Sequence, residues 1–178
     1  MNTKQTTLEQ KYHFKGRIMN MREDKVVCPD GRHTTREVCE HCDGDAVLPV
    51  TEDGEIVLVS QFRYPFGTEV LEAPAGKVDG NEHHLACGKR ELSEETGYEA
   101  DEMIYLGFVY PSPGCMTERI HLYLAKGLHE GQAHPDEGEF LEIRRMKLSD
   151  AVAMCDENKI DDAKTAVLIL RAARILGL

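Results

Sequence analysis

The segment Gly76–Tyr98, GKVDGNEHHLACGKRELSEETGY, decides how the rest of the chain is read. Asn81 suits the N-cap of a helix over Glu82 to Thr96, and Gly97 stops that helix as a glycine just past the last turn does. Inside it, Glu91, Glu94 and Glu95 are related by steps of three and four and so share one face. Leu85 and Leu92 define an opposite, buried face. Three carboxylates at this spacing repel one another, so something positive must offset them. Oxygen donors in this number suit a hard dication, Mg²⁺ or Mn²⁺. A solvated acidic helix face has the same local pattern, and only the wider spacing separates the two readings.

Counting from Gly76, five residues precede Glu82 and seven more precede Arg90-Glu91-Leu92-x-Glu94-Glu95-x-Gly97-Tyr98. This resembles Gx₅Ex₇REUxEExGU, the signature of the Nudix hydrolases, in which U is a bulky apolar residue. Every fixed position is present, the last being aromatic Tyr98 where an aliphatic residue is usual. The resemblance implies an α+β fold, a Nudix-type α/β/α sandwich with a mixed sheet. It also implies metal ligation by Glu91, Glu94 and Glu95 and by the carbonyl of Ala75, with Glu94 and Glu95 serving the chemical step. Metals there bridge phosphate oxygens and help form hydroxide from water. Gly76 is expected to give a tight backbone turn; Glu82 and Arg90 are expected to support the ligands.

Outside the signature, Gln61-Phe62-Arg63-Tyr64-Pro65 and Leu71-Glu72-Ala73-Pro74-Ala75-Gly76 look like the ADP-ribose pyrophosphatase branch. Pro113, sixteen residues past Gly97, and Ile160–Thr165 are similar to it as well. The similarity spans about Phe14 to Leu170. It implies that Arg63, a planar fork of donors, contacts substrate phosphate, and that Glu72, Arg36 and Pro113 also belong to the substrate site. The general base is expected at Glu139, before Phe140; Glu137 is the second choice and Glu118 the third. An exposed loop acid is the plain alternative for each. The implied reaction is Mg²⁺-dependent hydrolysis of ADP-ribose to AMP and ribose 5-phosphate, with Mn²⁺ as the other metal. A different nucleotide sugar or a dinucleotide is the alternative substrate. A non-catalytic nucleotide-binding module is a further alternative, though such modules usually lose signature glutamates and this chain keeps all of them. Some relatives sandwich adenine between tryptophans; this chain has none, leaving Tyr12, Phe14 or another aromatic for stacking.

Strands are expected at Lys25–Cys28 and Thr34–Cys39 around Pro29-Asp30-Gly31, then at Ala46–Val50, Ile56–Phe62, Val70–Glu72, Met103–Tyr110, Ile120–Ala125 and Phe140–Met146. Ile56–Phe62 is nearly continuous in apolar residues and reads as buried on both faces. Gly127–Gly138 reads as a polar loop. Helices are expected over Leu148–Glu157 and from Asp161 to about Leu176, with Gly177 as a stop. Residues 1–45 form an N-terminal β-hairpin extension, a dimerisation element in the homodimer the resemblance implies; residues 46–178 form the hydrolase domain.

The 178 residues suffice for one sizeable core, and the net charge of −11 argues against binding nucleic acid or anionic lipid. Without an apolar signal region or long apolar run, the chain reads as cytoplasmic. Its six cysteines are then reduced. Cys39-Glu-His-Cys42 has zinc-like spacing but needs two further ligands, such as Cys28 and His33; a reduced strand end is the simpler reading.

Overall fold

Alternating apolar residues let three strands bury both faces and build two cores. In β4 (Gly44–Pro49) and β5 (Glu55–Arg63), Ala46, Leu48, Ile56 and Leu58 point to one side, Val47 and Val57 to the other. In β9 (Ile120–Glu130), Leu122 and Leu124 join the first core, Tyr123 and Ala125 the second. The buried centre expected over Ile56–Phe62 is present at Ile56–Val59, which are at most 2% exposed.

The computed structural model describes residues 2–136 and 138–178; Glu137, the second choice for the base, lies outside the described residues. The chain forms two compact units, Met1–Asp43 with Tyr110–Arg119, and Gly44–Val109 with Ile120–Leu178. In the larger unit one sheet has the order β7 (Ala75–Lys77), β4, β9, β8 (Tyr98–Val109), with β4 and β9 parallel and the other pairs antiparallel. An antiparallel sheet has the order β10 (Leu141–Lys147), β5, β6 (Thr68–Glu72). Helix α1 (His84–Thr96) packs on β4, β7 and β8. Helix α3 (Ala163–Leu176) packs on β4 and β9, and α2 (Leu148–Asp156) on α3 and β10. Leu92 and Tyr98 seal the α1 core; Leu168, Ile169 and Ala172 seal the other. The expected mixed sheet with helices on both sides is observed.

The smaller unit is an antiparallel meander of β1 (Thr6–Lys15), β2 (Met19–Val27) and β3 (His33–His41). Its second hairpin turns at Pro29-Asp30-Gly31, where Gly31 has φ of 84° and Val27 faces His33. The expected hairpin is therefore the inner part of a three-stranded sheet. The Tyr110–Arg119 segment lies along β3, with Cys39 N–H donating to Cys115 O at 2.7 Å and Thr117 N–H to Cys39 O at 3.1 Å.

Several boundaries differ from expectation. Helix α1 begins at His84, capped by His83 Nδ1, which accepts from Leu85 N–H at 3.3 Å. Asn81 lies instead in a turn where Glu82 N–H donates to Asp79 O at 2.8 Å, freeing the Glu82 side chain for Arg90. Leu85, in the first helical turn, is 36% exposed, whereas Leu92 is buried. Strand β8 begins at Tyr98, and β9 runs to Glu130 through the stretch read as loop, because Tyr98 pairs with Glu130 across the sheet.

Candidate active site

The signature glutamates sit where α1 crosses β7. Glu91 and Glu95 are buried, at 9% and 6% exposure. Arg90 organises the helix face. Its Nη1 donates to Glu91 Oε1 at 2.6 Å and to Glu94 Oε2 at 2.8 Å, and its Nε and Nη2 grip Glu82 at 3.1 and 3.0 Å. Nη2 also reaches Lys77 O at 3.1 Å, tying the helix to the end of β7. Arg90 and Glu82 thus tie the loop to the helix and hold the Glu91 and Glu94 side chains in place. The Tyr98 ring is buried and its hydroxyl meets Glu130 Oε1 at 3.1 Å and the Arg145 guanidinium, so an aromatic residue fits the final signature position.

Glu95 has weaker compensation. One oxygen accepts the Ala75 N–H at 3.3 Å. Burial, with repulsion from Glu91 and Glu139, pushes its carboxyl up to about 8. Burial likewise pushes Glu91 up to about 7, despite the Arg90 guanidinium. Two desolvated carboxylates beside each other are costly as anions. A dication at this hard-oxygen donor set would offset that cost, so the residues present fit a divalent metal.

Gly76 has a different role from the one expected. Its φ is not in the left-handed region. It is in register with Asp45 on β4, which places the α1 side of β7 against the helix. A Cβ at Gly76 would overlap the Glu91 carboxylate. The glycine therefore clears space for the Glu91 carboxylate.

Beside the glutamates lies a second charged group. Arg63, at the end of β5, clamps Glu72 through Nε at 2.5 Å and Nη2 at 2.8 Å. Lys164 closes on Glu72 Oε2, the oxygen that Arg63 Nη2 also holds, and on Asp162 Oδ2, the latter at 3.0 Å. Burial alone would raise the Glu72 carboxyl, but Arg63 and Lys164 outweigh it and hold it below the ordinary value. Arg63, Phe66, Val70, Glu72 and Lys164 border a cavity of about 620 Å³, within the range of small-ligand sites. Asp162 also caps α3 by accepting Thr165 N–H at 3.0 Å, and Thr165 Oγ1 accepts Ala73 N–H at 2.7 Å, anchoring the entry to β7. Sequence reasoning assigned no role to Lys164, Asp162 or Thr165. The similarity of Ile160–Thr165 to the branch was the available signal.

Glu139 lies in the turn before β10, exposed, with its N–H donating to Asp136 O at 3.0 Å. Its charge acts on both Glu91 and Glu95. Glu118 belongs to the smaller unit, where it lies 3.3 Å from His41 Nδ1. Pro113 is exposed in the same loop. Arg36, on β3, donates to Gln5 Oε1 at 3.1 Å and to Thr35 O at 2.7 Å.

The raised carboxyls give a pH prediction. Between about 4.5 and 8 the folded chain holds protons at Glu91 and Glu95 that the unfolded chain releases, so these groups make the metal-free fold less stable as pH rises. A metal must displace those protons. The rise in Tm on adding Mg²⁺ to chelator-treated protein should therefore be larger at about pH 8.5 than at about pH 6. An equal rise at both would contradict ligation by these two carboxylates. Groups remote from the site titrate alike with and without metal, so the difference reports on the site.

Comparison with known proteins shows the family of the chain. The NUDIX domain family matches residues 41–168, and the nucleoside diphosphate sugar hydrolase N-terminal domain matches residues 6–39. The chain is 38% identical to the methanol dehydrogenase activator of Bacillus methanolicus and 36% to the ADP-ribose pyrophosphatase of Bacillus subtilis (strain 168); each alignment covers 92% of this chain and 89% of the relative. It is 36% identical to the GDP-mannose pyrophosphatase of Yersinia pestis (strain Pestoides F), over 79% of this chain and 75% of that one. A crystal structure of an ADP compounds hydrolase has the same fold, with a TM-score of 0.86, 19% identity, and coverage of 98% of this chain and 95% of that one. Enzymes of the matched family work with a divalent metal, which the buried glutamate pair suits. With its signature complete, this chain belongs to the Nudix family and is a Nudix hydrolase.

Proposed function

We propose that this hydrolase cleaves the diphosphate of ADP-ribose, yielding AMP and ribose 5-phosphate, with Mg²⁺ as its metal. The observation that carries the reading is the pairing of the buried Glu91–Glu95 site with the Arg63–Glu72–Lys164 cavity edge, in a chain 36% identical to an ADP-ribose pyrophosphatase over nearly its whole length. Glu91, Glu94, Glu95 and the Ala75 carbonyl would hold the metal, Glu94 and Glu95 being the ligands nearest the chemistry it would supply. The bound metal supplies charge neutralisation at phosphate oxygens and acidifies water. Glu139 accepts the proton of the attacking water. Arg63 offers to a phosphate the guanidinium edge that Glu72 does not occupy, and Glu72, locked by Arg63 and Lys164, fixes that edge's direction. Such positioning and electrostatics supply most of the acceleration in phosphoryl chemistry. Arg36 and Pro113 are further substrate contacts in this reading, and their variants would raise KM before lowering kcat. We also propose a homodimer with residues 1–45 as its dimerisation element, and a cytoplasmic location; no helix among the described residues is long and apolar enough to cross a membrane.

A second reading is a GDP-sugar or dinucleotide substrate, favoured by the relatives named GDP-mannose pyrophosphatase and by the lack of tryptophan. A substrate panel with Mg²⁺ separates the two. We expect kcat/KM for ADP-ribose to exceed that for GDP-mannose and for dinucleotides by at least about tenfold, a discrimination of roughly 1.4 kcal/mol. The reverse order would replace the first reading with the second.

A further inference from the structure

Between β6 and β7 the chain leaves one sheet of the larger unit and joins the other. The last β6 pair is Glu72 with Val59, and the first β7 pair is Ala75 with Ala46. Ala73 and Pro74 make the crossing outside both ladders. A buried main-chain donor that has left its ladder still needs an acceptor. Ala73 is 1% exposed, and Pro74 brings no N–H of its own. The crossing leads directly to Ala75, whose N–H meets Glu95 at 3.3 Å and whose carbonyl is the proposed main-chain metal ligand.

Thr165 supplies that acceptor from α3. Its Oγ1 takes the Ala73 N–H at 2.7 Å and donates its own proton to Asp162 Oδ2. Thr165 is fully buried, on the same helix face as Leu168 and Ile169. A valine has nearly the same shape and would fill that place without burying a hydroxyl, so packing does not account for the threonine. Asp162 fixes the hydroxyl. The same carboxylate oxygen accepts Thr165 N–H and Lys164 Nζ, each at 3.0 Å. With its proton committed there, Oγ1 presents a lone pair to Ala73. The neighbours of Ala73 are tied separately: Val47 N–H donates to Pro74 O at 2.9 Å, and Glu72 is closed between Arg63 and Lys164.

We infer that Thr165, pinned by Asp162, is a positioning residue for the hydrolysis: by holding the crossing at Ala73 it sets where the Ala75 carbonyl and amide stand. The inference rests on the reading of Glu91, Glu94, Glu95 and the Ala75 carbonyl as the metal-binding set. Thr165 acts through the backbone. Pro74, with its fixed φ, passes a shift on to Ala75 rather than absorbing it. Without the hydroxyl, the Ala73 N–H is left unsatisfied in the core, which is costly. The crossing relieves that cost by moving towards another acceptor, and Ala75 moves with it. A small displacement of a main-chain ligand weakens the metal and misplaces the reacting groups. The substrate clamp stays closed, because Glu72 keeps both Arg63 and Lys164. Thr165 therefore bears on metal binding and rate, and little on substrate binding.

The test is calorimetric titration of the full chain with Mg²⁺, joined to steady-state rates on whichever diphosphate of the panel the parent cleaves best. In Thr165→Val, Mg²⁺ should bind at least about fivefold more weakly. Its kcat at saturating Mg²⁺ should fall at least about tenfold, with KM within about threefold of the parent. Thr165→Ser keeps Oγ and should return affinity and kcat to within about threefold of the parent. Asp162→Ala, at a partly exposed position, frees the hydroxyl and should weaken Mg²⁺ by about threefold or more; it decides the matter if Thr165→Val does not fold. Ile169→Val loosens the α3 packing and removes no hydrogen bond, so it should lower the chelator Tm and leave Mg²⁺ affinity and kcat unchanged. Parent-like affinity and kcat in folded Thr165→Val, parent-like affinity in Asp162→Ala, a serine variant no better than the valine one, or an equal loss in Ile169→Val would each overturn the positioning role. A parent chain that binds no Mg²⁺ would instead overturn the metal reading beneath it.

Discussion

Glu95→Gln should lose at least about 10³-fold in kcat, several kcal/mol of transition-state stabilisation, while the metal-free protein melts no lower than the parent. The two halves have one cause. Glu95 is 6% exposed, and burial with repulsion from Glu91 and Glu139 raises its carboxyl to about 8. An isosteric amide removes the charge that burial penalises. It keeps an oxygen to accept the Ala75 N–H, now made at 3.3 Å. The metal-free fold should therefore be as stable or more so, whereas a dication loses an anionic ligand. The Mg²⁺-induced rise in Tm should shrink accordingly. Activity is read under saturating ADP-ribose, and melting in chelator and in Mg²⁺. Retained turnover would remove Glu95 from the proposed ligand set. Lost turnover with a sharply lower chelator Tm would assign Glu95 to the fold instead.

How much of this was legible in the sequence follows from the period of each signal. The α1 carboxylate face and the buried centre of β5 were readable because their repeats, three-to-four and continuous apolar, match helix and buried strand. Strand β1 was not, since TTLEQKYHFK is exposed along its whole length and its alternation is weak, Gln10 interrupting the series Leu8, Tyr12 and Phe14. The end of β9, Lys126–Glu130, reads as polar loop because its partners at Tyr98–Glu102 form an edge with solvent contact. Asn81 has the chemistry of an N-cap, but Glu82 is held in the preceding turn and by Arg90, which delays the helix to His84. Lys164 looks like an ordinary polar position in the first turn of an amphipathic helix. Its ion pair with Glu72 joins residues far apart in the chain, which no local pattern reveals. The same holds for Thr165 and Ala73. Glu139 is indicated in the sequence only by resemblance; that its charge raises Glu91 and Glu95 depends on the fold, which brings the loop before β10 near α1.

Gly76→Ala should cost at least about 10²-fold in activity with only a small change in the Tm of the metal-free protein. A glycine can be required for two different reasons. A glycine in the left-handed region resists substitution because a Cβ strains the backbone, and its replacement lowers stability. Gly76 is not in that region. The added methyl would meet the Glu91 carboxylate, the movable end of a flexible side chain, so the fold can yield by swinging that carboxylate aside. Helix and strand stay paired, since Arg90 still reaches Lys77 O and Asp45 still faces Gly76 across the sheet. What is lost is Glu91's position as a proposed ligand, and a displacement on the order of 1 Å at a reacting centre is enough for the predicted fall in rate. Shortening the obstructed side chain supplies the control. Gly76→Ala with Glu91→Asp should recover part of the Mg²⁺-induced Tm rise that Gly76→Ala alone abolishes, because the aspartate withdraws one methylene from the new methyl. Full activity in Gly76→Ala would show that Glu91 does not need the place it occupies, and a large drop in chelator Tm would return the glycine to a backbone role.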